Sequence, residues 1–227
     1  MEVEFQQELE ETKEIRVPSF INFRKMIDSL PYCKETFAVK LCYLTATRRS
    51  EITTKCPPCE IKRGKGNAYG KYLEYKIETF RKKDFVQKVL VIKIALAKRS
   101  KKKLVFKRIG LPINPVFDPW VLDLLKWLRL KGTLKLEISP NTLNNWVKWA
   151  LKRWIPDVHA HSLRHYRTNH LVTEYGFEAF DLLPYLGWSA KTASGMMGSG
   201  SGQIDIYSHL SWRKYFLKLC LPIDELI

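Results

Sequence analysis

Several things are missing from this chain or scarce in it, and each shortage removes a class of protein. No apolar run approaches the roughly 18 residues that a membrane-crossing helix needs, so no membrane span is expected. The first 14 residues, MEVEFQQELEETKE, hold six Glu and one Lys, which is not the basic-then-apolar pattern of a secretory leader. Cysteine is sparse: there are five, an odd number, with a single C-x-x-C at Cys56 and Cys59. That count cannot build a disulfide framework, and a reducing interior is expected. A structural zinc normally takes four ligands, and Cys33, Cys42 and Cys220 lie apart from the pair, so no metal is expected. The one glycine-rich basic string, Arg63-Gly64-Lys65-Gly66, lacks the phosphate-loop spacing and does not open a helix, so no nucleotide cofactor is expected either. No internal repeat is present.

Acidic residues are also short. Asp and Glu number 23 against 39 Lys and Arg, a formal net charge of +16 on 227 residues. With 45% hydrophobic residues the chain can still bury a core, so the excess reads as a basic globular protein and not as a disordered one. A field of that sign attracts polyanions. The charge is concentrated: residues 81–108 carry twelve basic side chains and one acid, Asp84.

The pattern along the chain predicts an α+β protein, mostly helical, with a small three-stranded antiparallel sheet. Residues 1–16 read as an acidic N-terminal tail and 17–227 as one domain. Helical spacing of Phe20, Phe23, Met26, Ile27 and Leu30 predicts a first helix after Pro18, ended by Pro31. A buried helix follows from Lys34 to Ala46 and runs into Thr47-Arg48-Arg49-Ser50-Glu51-Ile52. Three strands are expected at Leu73–Phe80, Val86–Ala97 and Leu104–Ile113, after a turn-rich stretch from Cys56 to Gly70. The last two are joined by a cationic tip, Lys98-Arg99-Ser100-Lys101-Lys102-Lys103, a shape suited to gripping phosphates or entering a groove of DNA.

Further helices are predicted from Asp118-Pro119 to Lys131, from Ser139-Pro140 to Trp154, over 161–175 and from Phe177 to Leu186. A Gly/Ser-rich string, SAKTASGMMGSGSGQ, reads as a mobile loop, and Ile204 to Leu219 as a last helical region. Trp120, Trp127, Trp146, Trp149 and Trp154 fall mostly at helical spacing and are read as core.

One string carries chemistry. In His161-Ser162-Leu163-Arg164-His165, positions i, i+3 and i+4 share a helix face, so two imidazoles and a guanidinium can point into one site. A guanidinium offers a planar fork for phosphate oxygens, and an imidazole exchanges protons near neutral pH. Arg48 with Glu51 precedes this string, Leu186-Gly187-Trp188 follows it, and Tyr207-Ser208-His209 comes last.

In that order, TATRRSEI, the 98–103 tip, HSLRH, LGW and IYSH resemble the motifs of the tyrosine recombinase (phage integrase) family over roughly residues 17–215. The resemblance implies a catalytic domain for site-specific DNA recombination or integration, in which strands are cut and rejoined through a 3′-phosphotyrosyl intermediate without metal or cofactor. It implies Tyr207 as nucleophile, Arg48 and Arg164 as the phosphate clamp and His161 as general base. It implies a hairpin lysine as proton donor to the leaving 5′-oxygen, Lys98 or else Lys101, and Trp188 in place of a commoner histidine. His165 and Glu51 would support the site, and Arg99, Lys101, Lys102 and Lys103 would hold DNA. Tyr166, Tyr175, Tyr185 and Tyr215 are the rival nucleophiles, with Tyr215 second after Tyr207.

The partner implied is double-stranded DNA, bound by a homotetramer that associates weakly or not at all without it. The location implied is intracellular, with the DNA of a prokaryotic host, virus or plasmid. Two readings stand beside it: a type IB topoisomerase-like nicking and closing enzyme, and a catalytically inactive DNA-binding paralogue. The sequence departs from the family in three ways. The 19-residue spacing from Trp188 to Tyr207 is long, and would let the tyrosine sit away from its own pocket or reach a neighbour's. The stretch from Cys56 to Phe85 is long too, and the family's separate N-terminal DNA-clamping domain is not expected in residues 1–17.

Overall fold

A computed structural model describes residues 17–55, 73–96, 105–188 and 211–223. Among them are seven α-helices and one three-stranded antiparallel sheet, a mixed α+β arrangement. No helix of the described residues is long and apolar enough to cross a membrane.

The first described helix is α1 (Phe20–Asp28), whose first turn is capped by the Ser19 hydroxyl accepting from the Asn22 N–H. Helix α2 (Lys34–Thr45) has nearly every residue buried, so it shows no amphipathic face. It ends at Ala46, in the left-handed conformation at φ 44° and ψ 44°. A single turn, α3 (Arg49–Ile52), follows directly. The sheet comes next in meander order: β1 (Leu73–Lys82), β2 (Phe85–Ala95) and β3 (Phe106–Pro112). The β1–β2 turn uses a positive φ at Lys83.

The helical half resumes with α4 (Pro119–Lys131), where Asp118 caps the Trp120 N–H and Pro119 fills the first position. Helices α5 (Pro140–Leu151), α6 (Ala160–Thr173) and α7 (Ala179–Leu186) follow. Helix α2 is the central column, packed mainly on α5 and α6 and also on α4. Each predicted helix over these residues is present, with ends displaced by a few residues; α5 stops at Leu151, ahead of Trp154.

The end of the chain differs from expectation. Residues 212–219 form two short 3₁₀ turns, Trp212–Lys214 and Phe216–Leu219, where a continuous helical region over Ile204–Leu219 was predicted. They lie against the outer face of the sheet: a Cβ on Gly110 of β3 would come 2.3 Å from a ring carbon of Trp212. Ring contacts of Phe80 with Trp212 and Phe216 complete that layer. Packing a strand glycine under an indole lets the segment sit flat, and the side chains it buries fix its backbone more firmly than helix propensity does. Trp149 is a second departure, 54% exposed where core packing was expected.

Candidate active site

Four elements meet at the C-terminal end of α2. Because α2 is buried all round, its last carbonyls cannot turn to water, and side chains must satisfy them. The Leu44 carbonyl accepts from the Tyr185 hydroxyl of α7. The Thr45 carbonyl accepts from Lys107 Nζ of β3 at 2.7 Å. The Ala46 carbonyl accepts from Arg164 Nη1 of α6 at 2.6 Å and from Lys107 Nζ at 3.2 Å. Arg164 Nη2 also donates to the Leu186 carbonyl at the end of α7, 3.0 Å away. One carbonyl in a left-handed turn thus holds an arginine and a lysine brought from different elements.

Arg48 leaves the same turn two residues later. Its backbone N–H donates to Glu51 Oε2 at 2.9 Å, and its guanidinium reaches Glu51 Oε1 at 3.3 Å. The carboxylate thereby caps α3 while it sits on the arginine. Glu51 is fully buried, whereas the Arg48 side chain is 25% exposed. The carboxylate is therefore the buried anchor, and the guanidinium is the group turned toward solvent.

Electrostatics couples these groups. Burial is the main force lowering Arg164 to about 10; Glu51 opposes it and Arg48 adds to it. Burial also pulls the Lys107 ammonium down to about 7, again with Glu51 resisting and Arg164 and Arg48 assisting. Arg48, Lys107 and Arg164 therefore share one field, three cationic side chains against a single carboxylate.

The histidines stand on α6, close to Arg164. His159 caps the helix: its Nδ1 accepts from the Ser162 N–H at 3.0 Å, while the Ser162 hydroxyl accepts from the His159 N–H at 3.2 Å. The Ala160 N–H is held by Asn144 Oδ1 of α5. These bonds fix the first turn, from which His161 projects toward solvent. The His161 and His165 rings meet edge to face, 4.6 Å between centroids. Loss of water around the ring, then His165, Arg164, His159 and Arg48, lower His161 to about 4. His165 is lowered too, by desolvation first and Arg164 second. His161 beside two guanidinium groups is therefore neutral at neutral pH, with a ring nitrogen open to a hydrogen bond, and its ring takes no part in the helix cap.

Trp188 follows Gly187, the left-handed cap of α7, and is partly buried against the core. It thus lies two residues beyond the carbonyl that Arg164 grips. Arg48, Glu51, His161, Arg164, His165 and Trp188 are brought to one region. Lys98, Arg99, Lys101, Lys102, Lys103 and Tyr207 lie outside the described residues. Lys107 is the member that sequence reasoning missed. Its signal was period 2: Lys107, Ile109 and Leu111 alternate along β3, which puts the lysine on the inward face. Of the rival tyrosines, Tyr166, Tyr175, Tyr185 and Tyr215 are all buried. No cluster of His, Cys, Asp or Glu among the described residues has a metal-holding arrangement.

Compared with protein-family profiles, with curated proteins and with solved structures, the chain matches none.

Proposed function

We propose that the chain is a tyrosine recombinase catalytic domain, a site-specific DNA recombinase or integrase that cuts and rejoins duplex DNA. One observation carries the reading: Arg48 and Arg164 are coupled across the buried Glu51, with His161 and His165 on the helix face that bears Arg164. The fork of Arg164 commits two of its five N–H groups to carbonyls, so it is fixed in direction and still able to bind oxygen. Two such cations would hold the non-bridging oxygens of a phosphodiester and stabilise the charge that builds there in the transition state.

The Tyr207 hydroxyl oxygen forms a bond to phosphorus while its proton passes to His161. The bond from phosphorus to the 5′-oxygen breaks, and that oxygen leaves with the electron pair and takes a proton from Lys98 or Lys101. The reverse sequence, with a new 5′-hydroxyl as nucleophile, rejoins the strand. No nucleotide is consumed, because the tyrosyl link keeps the phosphodiester energy. Burial of Tyr166, Tyr175, Tyr185 and Tyr215 supports Tyr207 as nucleophile. Exposed cations on the sheet, Arg81, Lys82, Lys83, Lys88 and Arg108, support a long basic contact with the backbone of duplex DNA. DNA-bound assembly as a homotetramer belongs to the same reading.

The test is a pool of duplexes nicked within a randomised sequence, so that cleavage releases a short fragment and traps the enzyme. Wild type should form an adduct that survives denaturing electrophoresis, and Tyr207→Phe should form none. An adduct with Tyr207→Phe moves the nucleophile elsewhere. Duplex binding by wild type with no adduct favours the inactive DNA-binding paralogue. Relaxation of a supercoiled plasmid without two-site recombination favours the topoisomerase-like enzyme.

A further inference from the structure

We propose that Lys107 is a positioning residue that sets the two arginines of the clamp in register. The inference rests on the function proposed above. Its basis is geometric. Arg48 and Arg164 come from places more than a hundred residues apart in the chain, and besides the field of Glu51 they share the turn at Thr45–Ala46–Thr47. Arg164 hangs from the Ala46 carbonyl, and Arg48 begins two residues beyond it. Lys107 donates to both the Thr45 and the Ala46 carbonyls, so it spans the turn where the two arginines meet. Its side chain is 3% exposed and its strand partner is the apolar Ile94, so few other groups compete for the ammonium.

A lysine is unusual in such a place. Transferring an ammonium from water into the interior is unfavourable, and here two cations are neighbours as well. Apolar side chains at Ile109 and Leu111 on the same face are the default for β3. A methionine at 107 would fill the site without the desolvation cost, but it would leave the Thr45 carbonyl without the lysine and the Ala46 carbonyl with Arg164 alone. The turn is already in a conformation that alanine adopts reluctantly, so fewer tethers would let it relax. Relaxation moves Arg48 relative to Arg164, and a clamp loses about a hundredfold for a displacement on the order of 1 Å. The charged groups acting on Lys107 are Glu51 from α3, which favours the ammonium, and Arg164 from α6 and Arg48 from the turn, which add to the larger lowering by burial.

Lys107 is placed to act through the arginines, and proton donation to the leaving oxygen is a separate role that can be told apart. The experiment uses the full chain, Lys107→Met and Lys107→Gln, with the nicked pool made once with an ordinary 5′-oxygen and once with a bridging 5′-sulfur. A thiolate leaves without a proton, so sulfur rescues loss of an acid but not loss of clamp geometry. Expected for Lys107→Met is duplex binding within about threefold of wild type and adduct formation slower by about a hundredfold with both leaving groups. Lys107→Gln, which keeps a donor, should recover part of the rate. Wild-type rates in Lys107→Met, or rescue by sulfur, would overturn the proposal.

A second measurement needs neither variant nor activity. In wild type labelled for nuclear magnetic resonance, the side-chain nitrogens of Arg48 and Arg164 should both shift at the midpoint of the Lys107 titration. Failure of either to move overturns the proposal even if the chain proves not to cleave DNA. Absence of any wild-type adduct alongside correlated shifts condemns only the recombinase reading.

Discussion

Arg164 and Arg167 stand one turn apart on α6, and both are almost fully buried, yet their surroundings are opposites. Arg164 is held by two backbone carbonyls and faces other cations, so burial and Arg48 lower its pKa. Arg167 sits in a cage of Tyr43, Tyr175 and Tyr185, each ring centroid within 6 Å, and its Nε donates to the Tyr185 hydroxyl. Burial would lower Arg167, but those phenols and Asp118 raise it well above the usual guanidinium value. The difference separates two uses of a buried charge. Around Arg167 the protein supplies the electron-rich neighbours itself. Around Arg164 it accumulates positive charge and leaves it undercompensated, an arrangement that favours binding an anion.

The contrast can be broken first at the two arginines. Arg164→Ala should reduce adduct formation by about a hundred- to a thousandfold, the scale set by removing a donor to transition-state charge, while duplex binding persists through the remaining cations. Its stability should fall by less than that of Arg167→Leu, because Lys107 still holds the Ala46 carbonyl and removal of one of several crowded cations offsets part of the lost hydrogen bonds. Arg167→Leu should do the reverse and destabilise the fold by about 2–4 kcal/mol, since it removes the donor to the Tyr185 hydroxyl and the cation that three phenol rings enclose. Chemical denaturation beside the adduct assay checks both, and a stability loss in Arg164→Ala matching that of Arg167→Leu would erase the comparison.

A smaller effect sharpens it through pH. Beneath Arg167, His170 Nε2 is 2.8 Å from the Pro18 carbonyl and Nδ1 is 2.8 Å from the Tyr43 hydroxyl, a fit for the neutral ring donating to the carbonyl and accepting from the phenol. Burial lowers His170 to about 4, although the Pro18 carbonyl pulls the other way. The unfolded ring binds its proton near 6.5, so between about 6.5 and 4 the unfolded chain holds the extra proton. Stability should therefore fall as pH drops through that window, and His170→Gln should flatten the part of the slope that this ring contributes. Urea midpoints measured across the window test it.

The smallest effect belongs to the turn. Ala46→Gly removes the steric cost of the left-handed conformation and should stabilise the fold by about 0.5–1 kcal/mol. Adduct formation should hold or decline, because a looser turn carries Arg48 less firmly.

Much of this architecture was legible in the residues. Ser19, Asp118-Pro119 and Ser139-Pro140 mark helix starts through side-chain oxygens and fixed proline φ, both local effects that sequence displays. Gathering Arg48 with Arg164 was legible as well, but only through the order of motifs, since no local rule links positions so distant. What escaped was decided by tertiary contact. A lysine on a strand reads as a solvated group, and nothing near position 107 announces the two carbonyls it meets at the end of α2. Trp149 shows the converse, since helical spacing says which face a residue lies on but not whether another element covers that face. The 3₁₀ turns at Trp212 and Phe216 depend on a glycine a hundred residues earlier.

The shared Ala46 carbonyl has a consequence for any ligand of the clamp. On the function proposed, an anion settling between the guanidinium groups would cancel their share in lowering the Lys107 ammonium, which burial lowers most. Capture of the anion would then be linked to uptake of a hydrogen ion from the buffer, and by reciprocity alkaline solution would weaken the grip on the anion. A residue sealed from solvent would thereby make the hold on the anion answer to the acidity outside.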